Sequence, residues 1–490
     1  MEQLYKLSRL MCSSIPEQID LVFSKFSSKI AIHAISEESI SYSNLLSSIK
    51  SRTEEIIKEN PINNTVIAII TDNTIASLIN ILGVIYSGKI ALPLNKNLTV
   101  TEKEKILDHA GCGLLINKKN DFVKKEFKIL SSNVLNKNFA LLIYTSGTTS
   151  DPKGVSLTHE NILNNCFNII EYFDFNDNHV KSCFLPIYHL FGLISDTFTM
   201  LFIGGTVLLC PQFSIGTAHL IHKNILKYKV NSFSLVPLIL EYFNQLELSL
   251  VNSDVRLVVS GSAPLSKASF DKFTTNNKNV KLIPGYGLSE TTCYSAINPL
   301  DDVIPNSIGK PFNFNEFGVI DENENFLTSH ESGEIVIKGE NVFIAGYFNS
   351  NINCYMISDR SYFKTGDIGY YDENDYFYIT GRIKNMIIRG ADKLYIESVD
   401  LVLKSINTDK FDSIAVKFER NDEELLIVVY SDLINGKDIM KERVIRKIIK
   451  EQLGDKYLPN YIINLSEISR NDTKKPNYKQ IRKLLNNYDY

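Results

Sequence analysis

The stretch Leu141 to Gly154 reads LLIYTSGTTSDPKG, an apolar run that ends in a loop dense with hydroxyls and glycine and closes on a lysine. Small residues let a polyanion approach the main chain, and hydroxyls and amide N–H groups then donate to phosphate oxygens. Thr145, Ser146, Gly147, Thr148, Thr149 and Lys153 are the groups that could do so. The chemistry this suggests is triphosphate handling. The loop is not a P-loop, since GxxxxGK[ST] is not matched, and no GxGxxG dinucleotide pattern occurs. A polar surface loop has the same composition, so the reading needs support from elsewhere in the chain.

Gly285 to Thr292 reads GYGLSETT. Its two glycines, Gly285 and Gly287, let a nucleotide approach the backbone. Tyr286 offers a flat face for a purine, Glu290 is a hard oxygen ligand suited to Mg²⁺, and Thr291 can donate to an α-phosphate. The plainer alternative is a strand-to-helix turn in which Ser289 is an N-cap. Asp367 and Arg382 stand further along, on either side of a strong turn signal, Asp372-Glu373-Asn374-Asp375, flanked by Tyr371 and Tyr376. If Tyr371 pairs with Tyr376, Asp367 lies opposite Thr380, two residues from Arg382. A carboxylate there can accept from both ribose hydroxyls, and the guanidinium can contact ribose or phosphate. Taken alone, the two residues read as a structural ion pair at the base of a hairpin.

The elements that must position these groups alternate. Val66–Ile70, Ile90–Pro93, Phe139–Tyr144, Val207–Cys210, Ser232–Val236 and Val255–Ser260 read as buried strands, and Thr74 to Tyr86 has helical spacing. Apolar strands alternating with helices predict an α/β protein with largely parallel sheets. After about Gly333 the texture changes to alternating strands and a hairpin. A basic amphipathic helix follows, with Val444, Ile445, Ile448, Ile449 and Leu453 on one face.

The 490 residues are too many for one core, so at least two domains are expected. A net charge of -4 gives no general pull toward nucleic acid or membrane. The segment from Lys437 to Tyr490 holds thirteen Lys/Arg against seven Asp/Glu, which reads as a solvated helical face or a phosphate-binding tail. The seven scattered cysteines form no CxxC pair and suggest a reduced, cytoplasmic setting. No apolar run reaches the roughly 18 residues of a membrane span.

Five further stretches, in order, complete a pattern. FLPIYHLFGL (Phe184–Leu193), GYGLSETT, YFKTGDIG (Tyr362–Gly369), GRIKNMIIRGADKLY (Gly381–Tyr395) and NDTKKPNYKQI (Asn471–Ile481) join the YTSGTTSDPKGV loop. Together they resemble the adenylate-forming superfamily: acyl-CoA synthetases, firefly luciferase and adenylation domains of nonribosomal peptide synthetases. The motif style is nearest to acyl- or aryl-CoA ligases. The resemblance implies a large N-terminal domain of two α/β sheets plus a small β-barrel over residues 1–383. It implies a small mobile α+β C-terminal domain over 384–490, hinged near Lys384. It implies ATP-dependent activation of a fatty or aromatic carboxylic acid to an acyl-adenylate with release of pyrophosphate. The acyl group would then pass to the thiol of coenzyme A or to the phosphopantetheine of a carrier protein. Glu290 would hold Mg²⁺, Asp367 and Arg382 the ribose, and Lys475 would be the mobile cationic stabiliser. His189 would gate the acyl pocket; it stands where many amino-acid-activating relatives carry an aspartate, which argues against an amino-acid substrate. Ser150, Ala391, Ile396 and Ser398 depart from the family's usual residues. The alternative of another class is a nucleotide-binding relative with impaired chemistry; the presence of Glu290, Asp367, Arg382 and Lys475 argues for the enzyme.

Overall fold

The computed structural model describes residues 12–35, 38–62, 65–124, 138–145, 153–312, 314–343, 346–349, 362–389, 392–404, 406–407, 411–420, 423–432, 439–470 and 476–488. The predicted α/β alternation is present. Val66–Thr71 lies between Ile90–Asn95 and Leu114–Ile116, parallel to both, in a seven-stranded sheet that also contains Phe139–Thr145 and Lys153–Thr158. A nine-stranded sheet sets Lys281–Tyr286, Leu257–Ser260, Ser232–Leu235, Val180–Cys183 and Thr206–Leu209 side by side, all parallel. Every residue of Ile90–Asn95 and of Ser232–Leu235 is buried, as strands covered on both faces require. The helix expected from Thr74 runs Ile75–Tyr86; the Thr74 side chain caps it by accepting from the Ser77 N–H.

By its contacts the chain divides into two compact units. One comprises Met1–Glu316 with Ile337–Phe363, the other Phe317–Val336 with Lys364–Tyr490. The division by contacts groups Lys364–Arg382, nearly all of the hairpin Phe363–Tyr371 with Phe377–Arg382, with the C-terminal residues. Where a small barrel was expected, the described residues form a four-stranded sheet of Asn315–Ile320, Gly333–Gly339 and that hairpin.

The C-terminal part is the expected α+β domain. In the paired strands Phe411–Arg420 and Glu423–Asp432 side chains alternate between two cores. Ala415, Leu426 and Val428 face Ile396–Leu403 and Ile439–Leu453, while Ile414, Val416 and Phe418 face Tyr478–Leu485. On Ile439–Leu453, Ile445 and Ile449 are fully buried and Ile448 and Leu453 pack beside them. Val444, expected on that face, is 51% exposed. The apolar stripe is narrower than the sequence suggested, and the residue next to Ile445 turns outward.

Candidate active site

The loop of hydroxyls and glycines is flanked by two paired strands. Phe139–Thr145 and Lys153–Thr158 pair antiparallel, with Tyr144 opposite Gly154 and the main chain of Thr145 opposite Lys153. Ser146, Gly147, Thr148, Thr149 and Ser150 lie outside the described residues. The Lys153 ammonium sits over the ring of Tyr347, 5.3 Å from its centroid.

Glu290 belongs to a single tight turn, Ser289–Thr291, that follows the strand Lys281–Tyr286. Its carboxylate accepts a hydrogen bond from the Tyr347 hydroxyl at 2.8 Å on Oε1. Among the described residues its other oxygen has no partner. Thr291, expected to donate to an α-phosphate, is fully buried. Its hydroxyl accepts from the Leu288 N–H (3.0 Å) and donates to the Leu288 carbonyl (3.2 Å), so it shapes the turn and faces inward. Ser289, read as a possible N-cap, caps nothing. It is half-exposed, and its side chain is without a partner among the described residues. Tyr286 keeps only 8% of its surface exposed. Gly287 is required by the chain itself, since a Cβ there would lie 1.5 Å from the Cys293 carbonyl oxygen.

His189 ends the turn that begins at Pro186, donating its N–H to the Pro186 carbonyl (3.1 Å), and its ring packs on Tyr188, 4.7 Å between centroids. The chain then enters a widened π-helical stretch, Phe191–Phe198, a form concentrated at functional sites. Gly192 makes this entry possible, because a Cβ would meet the Pro186 carbonyl oxygen at 2.7 Å. Phe191 lies edge-on to Tyr294 and against Gly261, forming an apolar, aromatic wall. Behind it is a buried polar network that the sequence did not disclose. Lys181 and Asp196 pair at 3.2 Å, Ser234 donates to Asp196 (2.6 Å), and the Ser195 hydroxyl donates to that of Tyr294 (3.3 Å). Burial pushes the Asp196 carboxyl up to about 6 even beside Lys181. The network braces the wall without facing solvent.

Asp367 and Arg382 are direct cross-strand partners, not two residues out of register. Tyr371 pairs with Phe377, and an irregularity between Ile368 and Gly369 moves the register by one. The Arg382 Nε and Asp367 Oδ1 form an ion pair at 2.6 Å, with the carboxylate 1% and the arginine 41% exposed. Lys475 lies outside the described residues; those on either side of it in the chain are paired. Arg470 forms an isolated bridge with Pro476, the Asn477 N–H donates to the Ser469 carbonyl (2.8 Å), and Arg470 pairs with Asp412 (2.6 Å). Lys384 is exposed in the turn Ile383–Asn385.

A basic cavity of about 380 Å³ opens at the carboxyl ends of Val66–Thr71, Ile90–Asn95 and Leu114–Ile116. The chain leaves Val66–Thr71 to one side for the next strand and to the other for the third. Open α/β sheets bind ligands at such a switch point. Ile70, Leu98 and Leu115 supply apolar lining, and Asn95, Asn117, Lys96, Lys103, Lys118 and Lys119 supply polar groups. Lys96 pairs with Asp72, whereas Lys103, Lys118 and Lys119 have no ion pair among the described residues. The one trace of this site in the sequence is the Lys118-Lys119 pair just after an apolar strand.

Three comparisons bear on this arrangement. A family model described as "AMP-binding enzyme" matches residues 22–348. The oxalate–CoA ligase of Saccharomyces cerevisiae is 28% identical over 341 residues, 69% of this chain and 61% of that enzyme, so the match leaves over a third of the yeast protein uncovered. A 2-succinylbenzoate–CoA ligase of Bacillus cereus is 26% identical over 480 residues, 92% of this chain and 95% of that one. Among solved structures, ATP-bound MatB from Rhodopseudomonas palustris superposes with a TM-score of 0.83 at 22% identity, covering 96% of this chain and 99% of that one. It has the same fold.

Proposed function

The chain belongs to the AMP-binding enzyme family, and from that premise we propose that it is an AMP-forming acid–thiol ligase. It activates a carboxylic acid with ATP as the acyl-adenylate, releases pyrophosphate, and passes the acyl group to coenzyme A. The observation that carries this reading is the meeting, in one compact unit, of the phosphate-loop strand with the turn that presents Glu290. The acid's carboxylate attacks the α-phosphate, and no covalent enzyme intermediate is needed, so catalysis is positioning and charge stabilisation.

Glu290 suits a hard divalent cation, with one oxygen held by Tyr347 and the other open among the described residues. Mg²⁺ supplies charge neutralisation on the phosphates when bound. Lys153 and the loop before it hold the leaving pyrophosphate. Ser289 takes the place expected of Thr291 as the hydroxyl donor, being the one that faces outward. Asp367, fixed by Arg382, receives the ribose, and Lys475 stabilises negative charge in the first half-reaction. The turn around Lys384 is the segment assigned to the change between half-reactions.

The wall of Phe191 and Tyr294 beside His189 favours an aromatic or fatty acyl group. The relatives named for oxalate, 2-succinylbenzoate and sulfoacetate act on acids with a second acidic group, so such acids belong in any panel. No helix among the described residues is long and apolar enough to cross a membrane. The six described cysteines are free, in keeping with a cytoplasmic setting.

Coenzyme A is favoured over a carrier protein as acceptor because the basic cavity suits a phosphorylated nucleotide, with apolar lining for a base and three lysines, without an ion pair among the described residues, for phosphates. The double variant Lys118→Glu/Lys119→Glu is expected to raise the KM for coenzyme A about tenfold at low salt, an effect that fades with added salt. Acid-dependent ATP–pyrophosphate exchange should stay unchanged. Steady-state kinetics with varied coenzyme A measure this, and an unchanged KM would remove the cavity from the acceptor's path.

A further inference from the structure

Two nearby described stretches of the chain, residues 341–343 and 347–348, contact both the Glu290 turn and the phosphate-loop strand. Tyr347 and Phe348 form an edge strand on Lys153–Thr158, with Tyr347 opposite Val155 and Phe348 opposite Gly154. From the first stretch the Phe343 N–H donates to the Glu290 carbonyl (2.9 Å). The Asn341 amide donates to the Thr291 (2.9 Å) and Tyr294 (3.0 Å) carbonyls, and the Thr292 hydroxyl donates to the Asn341 carbonyl (2.8 Å). The Tyr347 ring stands where these connections meet. Its hydroxyl donates to Glu290 Oε1 at 2.8 Å and its face lies 5.3 Å below the Lys153 ammonium. Phe343 packs edge-on against it, 5.2 Å between centroids, which limits its rotation.

We infer that Tyr347 is a positioning residue that sets the Glu290 carboxylate and the Lys153 ammonium relative to each other, so that a metal–nucleotide complex meets both at once. The inference rests on the reading that Glu290 holds Mg²⁺ and Lys153 faces phosphate. A hydrogen bond from a phenol to an ionised carboxylate is charge-assisted and directional. It locks one carboxylate oxygen and leaves the other to the cation, which removes the rotamer freedom that Glu290, half-exposed on a tight turn, would otherwise have. The ring face fixes the lysine by a cation–π contact, which leaves the ammonium protons available to phosphate. Both ligands of the complex are thus referenced to one rigid side chain rather than to two separate elements.

The test uses the full chain and two variants. Tyr347→Phe removes only the hydroxyl and keeps ring, strand pairing and lysine contact; Tyr347→Leu removes the ring as well. Binding of Mn²⁺ in the presence of α,β-methylene-ATP, followed by the electron paramagnetic resonance of free Mn²⁺, reads the carboxylate's share without turnover. Tyr347→Phe is expected to weaken Mn²⁺ about tenfold, with the melting temperature and the KM for the acid unchanged, and excess Mg²⁺ should restore exchange. Tyr347→Leu is expected to add a several-fold loss of affinity for the nucleotide analogue itself. Mn²⁺ affinity within twofold of wild type in Tyr347→Phe, or a loss shared equally by Mn²⁺, acid and thermal stability, would overturn the inference. If the wild type itself binds no Mn²⁺ with the analogue, the metal assignment of Glu290 fails and the inference with it.

Discussion

Glu290→Gln is expected to lower acid-dependent ATP–pyrophosphate exchange by about 10²- to 10³-fold, the usual cost of losing one preorganised electrostatic contact to a developing charge. The substitution is nearly isosteric, and its amide can still meet the Tyr347 hydroxyl across the 2.8 Å contact. What disappears is the negative charge that a hard cation needs. Glu290 is half-exposed on its turn and makes no ion pair among the described residues, so the melting temperature should barely move. Exchange assays at several Mg²⁺ concentrations measure the effect. If the variant keeps wild-type exchange at limiting Mg²⁺, Glu290 does not hold the metal.

Lys475→Ala is expected to cost about as much in adenylate formation, again 10²- to 10³-fold, while leaving thioester formation from a preformed adenylate within about threefold. The asymmetry is the point. A cation that stabilises charge on the phosphates matters while pyrophosphate leaves and has no task when a thiol attacks the acyl carbonyl. The residues on either side of Lys475 in the chain are held by the Arg470–Asp412 pair, the Arg470–Pro476 bridge and the Asn477–Ser469 hydrogen bond. Alanine at Lys475, between these anchoring residues in the chain, therefore removes a charge while leaving Arg470, Pro476 and Asn477 in place. Synthetic acyl-adenylate with coenzyme A isolates the second half-reaction. An equal loss in both would move the catalytic lysine elsewhere, with Lys474 and Lys479 as its neighbours in the chain.

The fold was legible because its signals are local. Buried parallel strands read as unbroken apolar runs, and the helix from Ile75 announced itself by its apolar periodicity. The site was legible as residue types, less so as geometry. The Asp367–Arg382 pair was visible, yet its register depends on an irregularity at Ile368–Gly369 that no turn motif encodes. In GYGLSETT the choice between the Ser289 and Thr291 hydroxyls depends on which faces solvent, and the turn buries Thr291. Gly287 has a second reason to be glycine that the motif does not show, since a Cβ there would meet the Cys293 carbonyl. Tyr347 and the Lys181–Asp196 pair escaped notice for one reason. Each acts through a partner distant in the chain or buried inside an apolar stretch, and composition carries no trace of that.

Acyl-adenylate formation, the first step of the proposed reaction, is reversible and can be observed without knowing the acceptor. Carboxylate-dependent exchange of labelled pyrophosphate into ATP, run across fatty, aromatic and dicarboxylic acids, is the most direct measurement. The account expects exchange that requires Mg²⁺ and one class of acid, followed by thioester when coenzyme A is added. Measurable ATP binding with no exchange for any acid in the panel would contradict it and leave a nucleotide-binding protein in place of a ligase.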